Sequence, residues 1–96
     1  FQDCNDFFMI AEELIAKSGD YKSLNYARLL NYIGVCKSDY EQMYVEAEGY
    51  LRKAKSLFEE INATNDEFYP MVIKNLKQIK VIVWNMLINE LIDNLP

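Results

Sequence analysis

From Tyr40 to Ile61 the apolar residues Tyr40, Met43, Tyr44, Ala47, Tyr50, Leu51, Ala54, Leu57, Phe58 and Ile61 recur three or four positions apart. Side chains at that spacing share one face of an α-helix, whereas a half-buried strand would need every second residue. The opposite face carries Glu41, Gln42, Glu46, Glu48, Arg52, Lys53, Lys55, Ser56, Glu59 and Glu60 and is expected in water. Glu48 and Arg52 are spaced for a helical ion pair. Ser38 with Glu41 three residues on reads as a capping box, in which hydroxyl and carboxylate each satisfy an orphan backbone N–H. A helix over 40–61 is therefore predicted, and its stripe has to be covered by other elements.

The flanking segments supply helices to cover it. Cys4, Phe7, Phe8, Ala11, Leu14 and Ile15 lie on one stripe of a first helix that runs to Lys17, with Asp3 as its N-cap. Ser18-Gly19-Asp20 ends it, glycine being able to take the left-handed conformation that closes a helix. Tyr21 to Cys36 reads as a second helix, apolar over more than half its circumference, so it should touch neighbours on two sides. Lys37-Ser38 then forms a short link to an antiparallel third helix. After the polar stretch 62–69, Pro70 suits the first position of a last helix to Asn94, since its missing N–H is unneeded there. A competing start at Thr64 with Glu67 would place Pro70 inside the helix.

In that last helix Val72, Ile73, Leu76, Ile79, Val83, Met86, Leu87 and Leu91 form one wide stripe, and Val81, Ile82, Trp84, Ile88 and Ile92 spread beyond it. The run Ile79 to Trp84 has the β-branched content of a strand, but no second strand exists to satisfy its backbone, so helix is expected throughout. The fold class is all-α: four antiparallel helices, either a small up-down bundle or stacked helical hairpins, in one domain over residues 1–96.

Several function classes are argued against. A net charge of −5 without a basic patch opposes nucleic-acid binding, which rests on neutralising phosphates. Fully apolar runs such as Val81 to Trp84 are far too short to span a bilayer. With no histidine and no glycine-rich phosphate loop, the usual general base, metal ligand and nucleotide cradle are all missing, so no enzyme, cofactor or metal site is expected. Glu12-Glu13 and Glu59-Glu60 diverge on a helix and read as solvated. Cys4 and Cys36 lack metal-site spacing and are expected to be free buried thiols, which suits a cytoplasmic setting; a Cys4–Cys36 bridge is the alternative and would need their helices adjacent. Asn62-Ala63-Thr64 is a glycosylation sequon.

Ile33-Gly34 with Leu30, then Ala47, Leu51 and Ala54, resembles the large and small apolar positions of helices A and B of a tetratricopeptide repeat. The stretch from Ala47-Glu48 through Ile61, with Asn65-Asp66 and Tyr69-Pro70, is similar to the longer repeats of the kinesin light chain family, and Leu76-Lys77 would open the next repeat. Lys37 and Lys77 depart from that pattern, standing where an aromatic and a small residue are usual. The resemblance covers about two thirds of the chain. It implies an inner face carrying Arg28, Asn31, Tyr32, Lys74, Asn75 and Gln78, with Asn75 where a side-chain amide holds a bound peptide's backbone and Tyr32 departing at the equivalent place.

The surplus of apolar residues on the last helix points to a non-catalytic interaction or oligomerisation module that binds a protein partner or its own copy. Ile82, Trp84, Ile88 and Ile92 join the six inner-face residues as candidate partner-binding positions. The alternative is a small-ligand-binding bundle with tyrosines and methionines lining a pocket between helices.

Overall fold

A computed structural model describes residues 4–96, apart from the side chains of Asn5 and Phe7. It contains α1 (Cys4–Ser18), α2 (Leu24–Asp39), α3 (Tyr44–Glu60) and α4 (Phe68–Asp93), and no strand among the described residues. The strand-like run 79–84 lies inside α4. The expected Asp3 cap lies outside the described residues.

α1 closes as its sequence suggests. Gly19 takes φ 63° and its N–H reaches the Ile15 carbonyl at 2.7 Å. α2 starts three residues later than the periodicity indicated, because the Ser23 hydroxyl accepts the Tyr26 N–H at 3.1 Å while Asp20 holds the Lys22 N–H in the preceding turn. It also ends later, at Asp39. The Ser38–Glu41 capping box is therefore not formed: Ser38 lies in the last turn of α2, and the Glu41 carboxylate takes the Lys37 ammonium at 2.9 Å. The chain reverses over 40–43 through Gln42 at φ 55°, with the Met43 N–H bonded to the Lys37 carbonyl. α3 then begins at Tyr44, so Tyr40 and Met43 lie before it, both exposed.

At the far end of α3, Asn62 adopts the left-handed conformation at φ 58°. The Ala63 N–H bonds the Phe58 carbonyl and the Asn62 N–H bonds that of Glu59, a Schellman closure with Ala63 packed near Phe58. α4 starts at Phe68, whose N–H is held by the Asp66 carboxylate at 3.0 Å, so Pro70 is the third helical residue rather than the first. It still falls in the first turn, where a missing N–H breaks no helical bond. The Thr64–Glu67 pattern forms no cap.

The connections make each helix antiparallel to the one before it. Ala27 and Leu30 from α2 meet Ala54, Leu57 and Phe58 from α3 and Val72 from α4 in one buried cluster. Nearer the other end of α3, Ala47 and Leu51 pack with Leu76 and Ile79. Alanines 27, 47 and 54 have no exposed surface, and small side chains at these crossings let the helix axes approach. α2 touches α1, α3 and α4, as its broad apolar surface predicted.

The closest approach is at Gly34, where a Cβ would stand 2.7 Å from Leu51 Cγ and 3.3 Å from the Ala47 carbonyl oxygen. Overpacking there costs about 1–3 kcal/mol, against about 1 kcal/mol of helix propensity gained. Gly34→Ala is therefore expected to destabilise by roughly 1 kcal/mol net in urea unfolding. Combining it with Leu51→Ala should lose less than the two singles added together, because they share one contact. Gly49, by contrast, faces open space.

The expectation of free thiols is overturned. Cys4 and Cys36 are joined in a disulfide, with Cα atoms 5.5 Å apart. Antiparallel packing sets the first residue of α1 beside the penultimate turn of α2, a proximity that a sequence separation of 32 does not reveal.

Candidate interaction surfaces

The candidate partner-binding residues fall into two groups, a polar set on α2 and α4 and an apolar set further along α4. Asn31 is 1% exposed, and its Oδ1 accepts the Asn75 Nδ2–H at 3.2 Å, so these two amides join α2 to α4. Arg28, one turn earlier, donates from Nη2 to Asp66 Oδ1 at 2.6 Å and lies 4.9 Å over the Phe68 ring. Tyr32 meets the same ring edge to face, with centroids 6.0 Å apart. Arg28, Tyr32, Asp66 and Phe68 thus form a cluster at the start of α4, while Lys74 and Gln78 are exposed further along it.

The hydrogen bond from Arg28 holds the Asp66 carboxyl below its ordinary value of 3.8, helped by the Phe68 N–H and opposed by partial burial; the same bond raises Arg28. A carboxylate depressed in the folded state binds its proton more weakly there than in the unfolded chain. Its contribution is present above the unfolded pKa and disappears as pH falls through the folded one. Acid unfolding below about pH 4 should therefore contain a step that is missing in Asp66→Asn, read by circular dichroism across a pH series.

The second group follows a different geometry. α4 has 26 residues and α3, its main neighbour, has 17. At about 1.5 Å per residue, α4 outreaches α3 by roughly 14 Å. Burial along α4 is confined to Val72, Leu76 and Ile79, with Val83 half-buried, and every residue from Trp84 onward is exposed. Trp84, Ile88 and Ile92 lie on this overhanging arm, Trp84 at 65% exposure, while Ile82 stands at its base in a cleft shared with α2. Met86, Leu87 and Leu91, assigned by periodicity to the core stripe, are exposed beside them, as is Leu95. The periodicity was real, but the helices that should cover it are too short. Comparing helix lengths would have shown this.

The overhang gives the molecule its elongated shape, 54 × 27 × 23 Å. Where the arm leaves the bundle, an open groove of about 490 Å³ lies between Glu48 and Arg52 on α3 and Lys80, Val81, Trp84 and Leu87 on α4. The more enclosed clefts are smaller. One of about 110 Å³ lies beneath Phe8, Tyr26 and Tyr50, and another of about 120 Å³ lies between Val35, Asn75 and Ile82. Both are well under the roughly 300 Å³ at which drug-sized ligand sites begin.

No described helix is long and apolar enough to cross a membrane. No cluster of metal-binding side chains occurs among the described residues. Comparison of the chain with protein-family models, with curated proteins and with solved structures finds no match.

Proposed function

We propose that the chain is a non-catalytic helical module that binds another protein or its own copy and thereby assembles a larger complex. The observation that carries this reading is the arm of α4, whose apolar side chains have no covering helix. Soluble proteins rarely leave more than a few hundred Å² of contiguous apolar surface in water unless it meets a partner. The tetratricopeptide resemblance supports the same class of function: α2 and α3 pack as an antiparallel pair with Gly34 pressed against Leu51, and α4 lies alongside both. The disulfide and the exposed sequon at Asn62 favour an oxidising compartment over the cytoplasm.

Replacing Ile82, Trp84, Ile88 and Ile92 together by polar residues tests the proposal. Association, read by sedimentation or by capture of a purified partner, should be lost while the thermal melt of the bundle is kept. A variant that associates as the wild type does would overturn the reading. So would one that no longer folds, because the arm would then belong to the chain's own core.

A further inference from the structure

We infer that Asn62 is a modification site whose side-chain amide carries an N-linked oligosaccharide. The inference is independent of the α4 arm and rests on the compartment that the disulfide implies. Among the chain's asparagines only Asn62 heads an Asn-x-Ser/Thr triplet, followed by Ala63 and Thr64. Such a triplet becomes a sugar site only where the finished fold leaves the amide in water with room for a bulky group, and where the chain meets the transferase. The fold meets the first condition. Asn62 and Thr64 are both exposed, whereas Ala63 between them packs against the core cluster around Phe58. The Schellman closure uses the backbone N–H groups of Asn62 and Ala63, and the Asn62 side-chain amide makes no hydrogen bond among the described residues. A sugar on that amide therefore displaces nothing. The left-handed backbone at 62 accounts for an asparagine or glycine there. It does not account for Thr64, whose hydroxyl caps no helix and bonds nothing among the described residues.

The Cys4–Cys36 bridge meets the second condition, because disulfides form and persist in oxidising compartments, and the secretory route among these is where this triplet is modified. The co-reactant there is a lipid-linked oligosaccharide diphosphate. Asn62 Nδ2 attacks the anomeric carbon of that donor: the Nδ2–C1 bond forms, the C1–O bond to the diphosphate breaks, the lipid diphosphate leaves with the electron pair, and Nδ2 gives up one proton. The sugar then stands at the end of the bundle where Lys22, just before α2, pairs with Glu60 at the end of α3. At about 1.5 Å per residue, the 26 residues of α4 set its far tip roughly 39 Å from this turn. The modification thus closes the near end of the bundle to partners and leaves the arm clear.

The test uses protein purified from its own cells. Release of N-linked sugar by a peptide-N-glycosidase in heavy-oxygen water turns the modified asparagine into labelled aspartate. Peptides spanning residue 62 should carry that label in most chains, the intact chain should run further on a gel after release, and a digest made without reductant should contain Cys4 joined to Cys36. Thr64→Ala, expressed in the same cells, should lose both the label and the mobility shift with the thermal melt of the released chain unchanged. Asn62→Gly should lose them as well while holding the turn, since glycine takes positive φ readily. Unlabelled Asn62 in chains whose bridge is formed would overturn the inference and leave the compartment reading standing. Unlabelled Asn62 together with free Cys4 and Cys36 would overturn both. A label that survives Thr64→Ala would mark hydrolysis of the bare amide rather than release of sugar, and would also overturn the site.

Discussion

Phe58→Ala is expected to remove about 4 kcal/mol of folding free energy, measured by urea unfolding followed at far-ultraviolet wavelengths. Phe58 has no exposed surface and sits where α2, α3 and α4 converge, with Ala27, Leu30, Ala54, Leu57 and Val72 around it. Its ring meets Tyr69 edge to face with centroids 5.9 Å apart. The neighbours are held by three separate helices and by the Schellman closure that leaves from Phe58 itself, so they can relax little into the cavity. A domain of this size is stabilised by only about 5–10 kcal/mol, so the variant should keep only about 1–6 kcal/mol of it. A loss of less than about 1 kcal/mol would show that the three helices do not converge on this ring.

Reduction of Cys4–Cys36 should have an effect of nearly the same size. The bridge closes a loop with sequence separation 32, for which chain entropy gives about 3.5 kcal/mol. At roughly 4–8 °C per kcal/mol for a domain of this length, the melting temperature should drop by about 15 °C or more. The Cys4→Ser/Cys36→Ser double variant should reproduce the drop without reductant. Hydrogen exchange should then rise first in α1, because α1 packs chiefly on α2 and leaves Phe8, Met9, Ile10 and Leu14 exposed. An unchanged melt on reduction would count against the bridge as a stabilising link.

Local signals were readable in the sequence wherever they faced no competitor. Gly19 closes α1, the Glu48–Arg52 pair forms at 3.5 Å, and Ala47, Leu51, Ala54, Leu57 and Phe58 form the buried stripe of α3. The Ser38–Glu41 box failed because a capping pattern states where a helix is able to start and not where the previous one must stop. Nothing at Lys37-Ser38-Asp39 breaks α2, and the Lys37–Glu41 ion pair uses the carboxylate that the box required. The disulfide depended on a pairing of helices, which no local pattern carries. The candidate inner face followed from the tetratricopeptide resemblance, and of its residues the structure brings Asn31 and Asn75 into contact. The burial of Asn31 and the engagement of Arg28 with Asp66 and Phe68 followed only from their packing.

The disulfide also has a mechanical meaning. It joins the first turn of α1 to the last turns of α2, while the Gly19–Ser23 turn joins the other ends of the same two helices, so the hairpin is a closed ring. Tension applied at Cys4 passes across the sulfur bridge into the end of α2 and on into α3, bypassing the peptide chain between. A segment with a contour length of about 110 Å is then hidden from stretching. α1 can leave its place only with the ring still shut, so under load it acts as a reserve of length that becomes available only on reduction.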